Sequence, residues 1–240
     1  MTPTGLRDVS PEEVSLETYS DRRSGIWAAF HLSGEYANGK ATSAQKNGAL
    51  LIDHQQLDTT IEKGGKLDGT AIVSMTAQTA GVREVPFALF PTLRVFKVSG
   101  QDGGALNFIQ ENKEDDPQFW LVLPKTLGKG EHYSLTVTYS GKDAVVDEGN
   151  GNYYPRARED WYPNSAYSLL REYSNYDMTF RVPKGMKLVA TGSRTSETTD
   201  SNHTVSVWKS EVPITVAGFN LGNFKQQGEK LQKPEMLIES

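Results

Sequence analysis

The 240-residue chain contains no cysteine, which removes disulfide cross-links, thiolate nucleophiles and sulfur-ligated zinc together. Compartment therefore stays open, and an exported or periplasmic location in a bacterium suits the composition as well as a cytosolic one. No apolar run approaches the roughly 18 residues that a membrane-crossing helix needs. Met1-Thr2-Pro3-Thr4-Gly5 lacks the basic-then-apolar order of a secretion signal. The expectation is a soluble chain with no membrane span. Basic residues are also in deficit, since 25 Lys and Arg stand against 30 Asp and Glu for a net charge of -5. A nucleic-acid backbone is held by clustered cations, so nucleic acid is not an expected partner. Histidine is scarce too. His31, His54, His132 and His203 form no i,i+4 pair, so the chain carries no zinc helix of the His-Glu-x-x-His type. It also lacks a Gly-x-Ser-x-Gly nucleophile elbow and a phosphate-cradling glycine loop.

From residue 49 onward there is no long segment of helical period; strand follows strand, separated by Gly, Pro and Asn or Asp. Tyr133, Leu135, Val137 and Tyr139 alternate with Ser134, Thr136 and Thr138, as a half-buried strand requires, and Tyr176, Met178, Phe180 and Val182 repeat the pattern. Further strands are predicted over 50–62, 70–78, 83–89, 93–98, 106–110, 119–123, 188–191, 204–208 and 215–224. About eleven strands exceed an immunoglobulin sandwich. The expected fold is all-β, a large antiparallel β-sandwich or a saddle-shaped pair of sheets, with a short mixed N-terminal segment.

Residues 1–48 read differently. Ser10-Pro11-Glu12-Glu13 has the form of a helix capping box, whereas Val14, Leu16 and Thr18 alternate like a strand, and both readings stand. Trp27, Phe30 and His31 fit either a helix face or a strand end. The polar stretch 38–48 reads as a linker. The predicted organisation is an N-terminal segment and linker over 1–48, a β domain over 49–228, and a tail or linker over 229–240. The acidic run 111–116 before Pro117 reads as a hairpin connection.

The stretch with most chemical character is Gly149-Asn150-Gly151-Asn152-Tyr153-Tyr154-Pro155-Arg156-Ala157-Arg158-Glu159-Asp160-Trp161-Tyr162-Pro163-Asn164. Gly and Pro fix the backbone path, Tyr and Trp offer apolar area with a polar tip, and Arg offers a planar fork. Such a loop either docks something or plugs the end of a sandwich. Asp147-Glu148-Gly149-Asn150-Gly151-Asn152 has the short oxygen ligands of a calcium loop, but the twelfth position of that register is Arg158, which favours a plain turn. Glycoside hydrolysis needs two acids facing across a cleft, and the adjacent Glu159 and Asp160 point apart. On a regular strand Asp53 and His54 alternate faces and define no site.

Leu67-Asp68-Gly69-Thr70-Ala71, Val85-Pro86-Phe87, Pro91-Thr92-Leu93-Arg94-Val95, the aromatic-Arg-Pro stretch, Tyr176-Asp177-Met178-Thr179-Phe180-Arg181-Val182-Pro183-Lys184-Gly185, Leu188-Val189-Ala190-Thr191-Gly192 and 213–222 form an ordered series. The series, over about residues 49–224, resembles the N-terminal β domain of the aminopeptidase N-like zinc metallopeptidases, the gluzincins. The resemblance implies a saddle-like β domain that packs on a downstream catalytic domain and walls the peptide-binding cleft with the loop before Pro163. It implies no catalytic residue, cofactor or metal ligand in this chain. Zinc is expected in the catalytic domain beyond it, and the parent protein is expected to be a zinc-dependent aminopeptidase. By this resemblance Tyr153, Tyr154, Arg158 and Trp161 face the substrate cleft or the catalytic domain. Near Tyr154 the family usually presents Gln or Glu to the substrate amine, whereas a phenol offers an acceptor without charge. A different class of reading is a carbohydrate-binding or adhesion sandwich that stacks sugars on Tyr153, Tyr154, Trp161 and Tyr162. Exposure separates the two, because sugar stacking requires a coplanar exposed row.

Overall fold

A computed structural model of the chain describes residues 14–18, 25–30, 49–112, 118–149, 151–156, 160–166 and 173–224. Among these residues every regular element is a strand. In chain order they are β1 (Val14–Thr18), β2 (Gly25–Phe30), β3 (Leu50–Ile61), β4 (Leu67–Ala77), β5 (Val82–Ala88), β6 (Arg94–Gly100), β7 (Asn107–Gln110), β8 (Gln118–Leu127) and β9 (His132–Gly141). There follow β10 (Val145–Asp147), β11 (Tyr153–Pro155), β12 (Asn164–Ser165), β13 (Asn175–Pro183), β14 (Lys187–Ala190), β15 (Ser193–Thr199), β16 (His203–Lys209) and β17 (Phe219–Gly222). The all-β expectation holds, and the alternation within Val14–Thr18 belongs to a strand, paired with β2. The capping-box residues before it, and His31, lie outside the described residues.

The largest sheet has seven strands in the order β15-β16-β13-β3-β4-β9-β6. Two four-stranded sheets accompany it, β10-β11-β17-β14 and β12-β5-β8-β7. One correction to the expected antiparallel architecture lies in the middle of the large sheet, where β13 runs parallel to β3 from Asn175 opposite His54 to Arg181 opposite Thr60. A parallel pair needs a long crossover, and here the whole of β4 to β12 intervenes.

Alternation builds the core as the sequence pattern requires. Tyr133, Leu135, Val137 and Tyr139 on β9, and Tyr176, Met178, Phe180 and Val182 on β13, are all buried. Fully burying a side chain such as Leu57 stabilises by about 1.5–3 kcal/mol, and the inner faces of all three larger sheets contribute to one continuous apolar cluster. The large sheet meets the β12-β5-β8-β7 sheet along a sealed seam. The Gln110 side chain accepts from Val95 N at 2.9 Å and donates to Leu93 O at 3.0 Å, while Arg94 donates to the carbonyls of Gln110 and Glu111. The acidic connection falls within the β7–β8 hairpin, with residues 113–117 outside the described set.

Regular alternation fails at one informative place. The pairing of β3 with β4 shifts between Ile52 and His54, a β-bulge that leaves Asp53 without an opposite residue. Asp53 and His54 therefore both face outward between buried Ile52 and Gln55, contrary to their expected alternation. Asp53 accepts a hydrogen bond from Thr76, beside His132, while His54 Nε2 lies 2.8 Å from Asp177 Oδ2.

Candidate functional site

The aromatic-arginine stretch is a hairpin followed by an anchored loop. β10 and β11 pair antiparallel, with Asp147 opposite Tyr153 and Val146 opposite Tyr154. The connection is tight. Glu148 N donates to Asn152 O at 3.0 Å, Asn152 N to Gly149 O at 3.1 Å, and Gly149 N to Asp147 Oδ1 at 2.8 Å. Gly149 has φ 85 and Gly151 φ 73, a left-handed conformation that glycine adopts without strain. A short turn of this kind accounts for the Asp, Glu, Gly and Asn residues that resemble a calcium loop.

Tyr153 and Tyr154 lie on β11 with their side chains on opposite faces. Tyr153 is half-buried against the core, and its backbone pairs with Leu221 on β17. Partial burial, and then the Asp147 carboxylate beside it, raise its hydroxyl above the ordinary value. Tyr154 donates its hydroxyl proton to Glu148 Oε1 at 2.5 Å, and that bond is the first cause of its own raised pKa. The two consecutive acids thus each meet one of the two consecutive tyrosines.

Trp161 is only 2% exposed. Its ring packs edge-on against Tyr162 and Phe219 and tilted against Phe180, and its Nε1 donates to Ala217 O at 2.9 Å. Tyr162 is equally buried; it accepts from Ala217 N at 3.1 Å and donates to Tyr176 at 3.2 Å. Phe90 N donates to Asp160 O at 2.7 Å, and Asn164 Nδ2 to Asp160 Oδ1 at 3.1 Å, so the return of the loop is pinned at both ends. Arg158 and Glu159 lie outside the described residues. Of the four singled-out side chains, the structure therefore places Tyr153 and Tyr154 on the hairpin and Trp161 in the core beneath the loop. With Trp161 and Tyr162 buried, the four aromatics form no exposed stacking row.

Sequence reasoning passed over Arg156. Its guanidinium lies 5.7 Å from the centre of the Phe90 ring, Nε donates to Asp143 O at 3.2 Å, and its backbone N donates to Ala144 O at 2.9 Å. Asp143 has φ 69, which the segment Gly141-Lys142-Asp143-Ala144 permits because Asp tolerates the left-handed region. That segment was the available signal, but its partner, Phe90, is remote in sequence.

For a zinc ion the fit is negative: among the described residues no group of three or more His, Cys, Asp or Glu stands together to hold a metal. His54, His132 and His203 each lie beside one carboxylate, at 2.8, 3.9 and 4.0 Å respectively. No described helix is long and apolar enough to cross a membrane.

No protein-family model matches the chain, and no curated protein matches it. Solved structures do. An M1 zinc metallopeptidase from Deinococcus radiodurans aligns at 16% identity and TM-score 0.66, covering 80% of this chain and 47% of its own. A mutant of the Deinococcus radiodurans M1 zinc metallopeptidase bound to a Tyr-Ser-Ala substrate aligns at 18% identity and TM-score 0.64, covering 80% and 46%. A two-domain M1 zinc metallopeptidase mutant bound to L-arginine aligns at 17% identity and TM-score 0.66, again covering 80% and 46%. The chain thus spans about half the length of these structures. At such identities the likeness is one of fold.

Proposed function

We propose that this chain forms a non-catalytic N-terminal β domain of a larger zinc metallopeptidase of the aminopeptidase type. In this reading residues 49–228 pack on a downstream catalytic domain and wall its peptide cleft with the β10–β11 edge. The observation that carries it is the fold likeness to M1 zinc metallopeptidases, which covers most of this chain but under half of theirs. In this reading zinc, and with it carbonyl polarisation and water activation, belongs to the other domain, which agrees with the lack of any metal-holding group among the described residues.

Two features support the direction of docking. The polypeptide leaves β17 beside the hairpin, where Tyr153 pairs with Leu221 and a side chain at Gly222 would meet both Gly151 O and Phe224. Phe224 thus lies close to Gly151 in the turn of the β10–β11 hairpin. Exposed apolar side chains also gather on the segment that Trp161 grips. Val212 and Val216 flank Ile214, Ile214 bridges Ser174, and Tyr173 adjoins Ser174; Val212, Val216 and Tyr173 are 62%, 46% and 68% exposed. An interdomain surface would cover them.

By the sequence resemblance, the register at which such enzymes use a carboxylate or amide falls near Tyr154, and Glu148 brings a carboxylate to it through the hydrogen bond. Tyr154 and Glu148 are therefore assigned to the free ammonium of a peptide, Arg158 to the cleft or the interdomain contact, and Trp161 to holding the loop in place from within the core. In the parent protein Glu148→Gln is expected to raise KM for substrates with a free N-terminus by roughly tenfold, the weight of one charged hydrogen bond, with kcat little changed. The isolated chain with zinc is expected to turn over no aminoacyl chromogenic substrate. If the encoded polypeptide stops just after Ser240, or continues without a zinc-binding helix motif, the reading fails.

A further inference from the structure

Most polar side chains buried between the sheets have a named partner. The Ser174 hydroxyl donates to Ile52 O at 2.5 Å, Tyr176 N donates to Ser210 Oγ at 2.9 Å, and Trp208 Nε1 donates to Ser206 Oγ at 2.9 Å. Gln55 departs from this rule. Its exposure is 0%, and neither Nε2 nor Oε1 meets a protein partner among the described residues. The bulge at Asp53 sets its direction, because the shift that turns Asp53 and His54 outward returns Gln55 to the inner face beside Leu57 and Ile61.

A primary amide carries two donors and two lone pairs. A buried polar group left without partners costs about 1–3 kcal/mol, and a leucine at this position would carry no such cost. Gln55 stands in register between Tyr176 of β13 and Val73 of β4. The Tyr176 side opens onto a polar chain, since the Tyr176 oxygen accepts from Tyr162, whose own oxygen accepts from Ala217 N. An amide whose backbone stands opposite a member of such a chain, and whose own atoms bond to no described protein group, suits a small ligand with both donor and acceptor capacity. We infer that Gln55 holds an ordered internal water between the sheets, with the Tyr176 hydroxyl as the adjacent polar group. The ligand class is water because the amide is shut off from solvent and offers no charge for an ion.

The test is water-to-protein NOE and ROE spectroscopy on the full chain with labelled glutamine side chains. The expected result is a long-lived water cross-peak to the Gln55 amide protons. It disappears in Gln55→Met, whose Tm is unchanged or raised because a similar volume is kept and a polar burial removed. A Gln55 amide with no water contact and a direct bond to a protein oxygen overturns the inference. So does a Gln55→Met variant whose Tm falls by more than about 5 °C, since for a chain this long that is the mark of a lost direct bond. Should the variant fail to fold, the wild-type spectrum alone decides.

Discussion

Gly69 shows how one residue type sets core geometry. It lies between Thr59 on β3 and Tyr139 on β9, and the Tyr139 ring crosses the space a side chain would fill, so that a Cβ there would sit 2.4 Å from Tyr139 Cζ. The hydroxyl of Tyr139 thereby faces Thr59 deep in the core. Glycine in a central strand costs conformational entropy and offers nothing to pack, so its place here is explained by the ring it admits. Gly69→Ala is expected to lower stability by about 1–3 kcal/mol through overpacking, read as a drop in the urea midpoint. Tyr139→Phe should not rescue it, because the clash is with the ring, whereas Tyr139→Leu should recover part of the loss. An unchanged midpoint in Gly69→Ala would show that the ring moves freely.

Among the elements, β15 is the open edge of the seven-stranded sheet. All seven of its residues are exposed, and among the described residues it pairs with β16 alone. Such an edge invites pairing with another chain unless charge or a bulge blunts it, and β15 has both. Its register shifts between Arg194 and Ser196, Arg194 donates to Glu197 at 2.7 Å, and the Arg194 guanidinium lies 5.8 Å from the Trp208 ring centre. Replacing both charges, Arg194→Val with Glu197→Val, is expected to produce concentration-dependent self-association in sedimentation beyond that of the parent chain. If the double variant sediments like the parent at every concentration, the bulge alone protects the edge. The opposite edge needs no such device, since the Arg94 and Gln110 bonds seal β6 to β7.

At the scale of the whole molecule, buried phenols make stability depend on alkali. Burial, foremost, and then the neighbouring Tyr176 push Tyr162 well above the ordinary 10.0, and burial likewise raises Tyr139. A raised folded value means that stability is complete below about 10, where unfolded tyrosine ionises, and drains away as pH climbs towards the folded values. The denaturation midpoint should therefore fall steeply above pH 10, with a late, unfolding-linked component in the absorbance titration. Tyr162→Phe should be less stable at pH 7, having lost its bond to Ala217 N, yet show a shallower alkaline decline. A wild-type midpoint that stays level above pH 10 would contradict the linkage. At the acid end the sign reverses. Backbone N–H groups of His203 and Asn202 hold Asp200 below the usual carboxylate range, and Lys125 does the same for Glu131, so their contributions are present at neutral pH and lost on acidification.

The sequence by itself determined the class of fold and the faces of its longer strands, because burial with period two is a local pattern that any half-buried strand must write into its residues. The buried sides of β9 and β13 were legible in this way. Tertiary structure decided what depends on remote partners. β10, β12 and β15 are short or wholly polar, and pairing alone makes them strands. The parallel contact of β13 with β3 joins residues 123 apart at the His54–Asp177 bond, a distance over which no local pattern reports. At the candidate site, the Gly, Asn and Pro residues announced a turn and the aromatics announced contact area. Which aromatic is core and which is surface was settled by Phe180, Ala217 and Phe219 closing around Trp161, and none of the three lies within the stretch itself. A side chain's composition fixes what it can bond, but only the packed neighbours fix whether those bonds face inward or out.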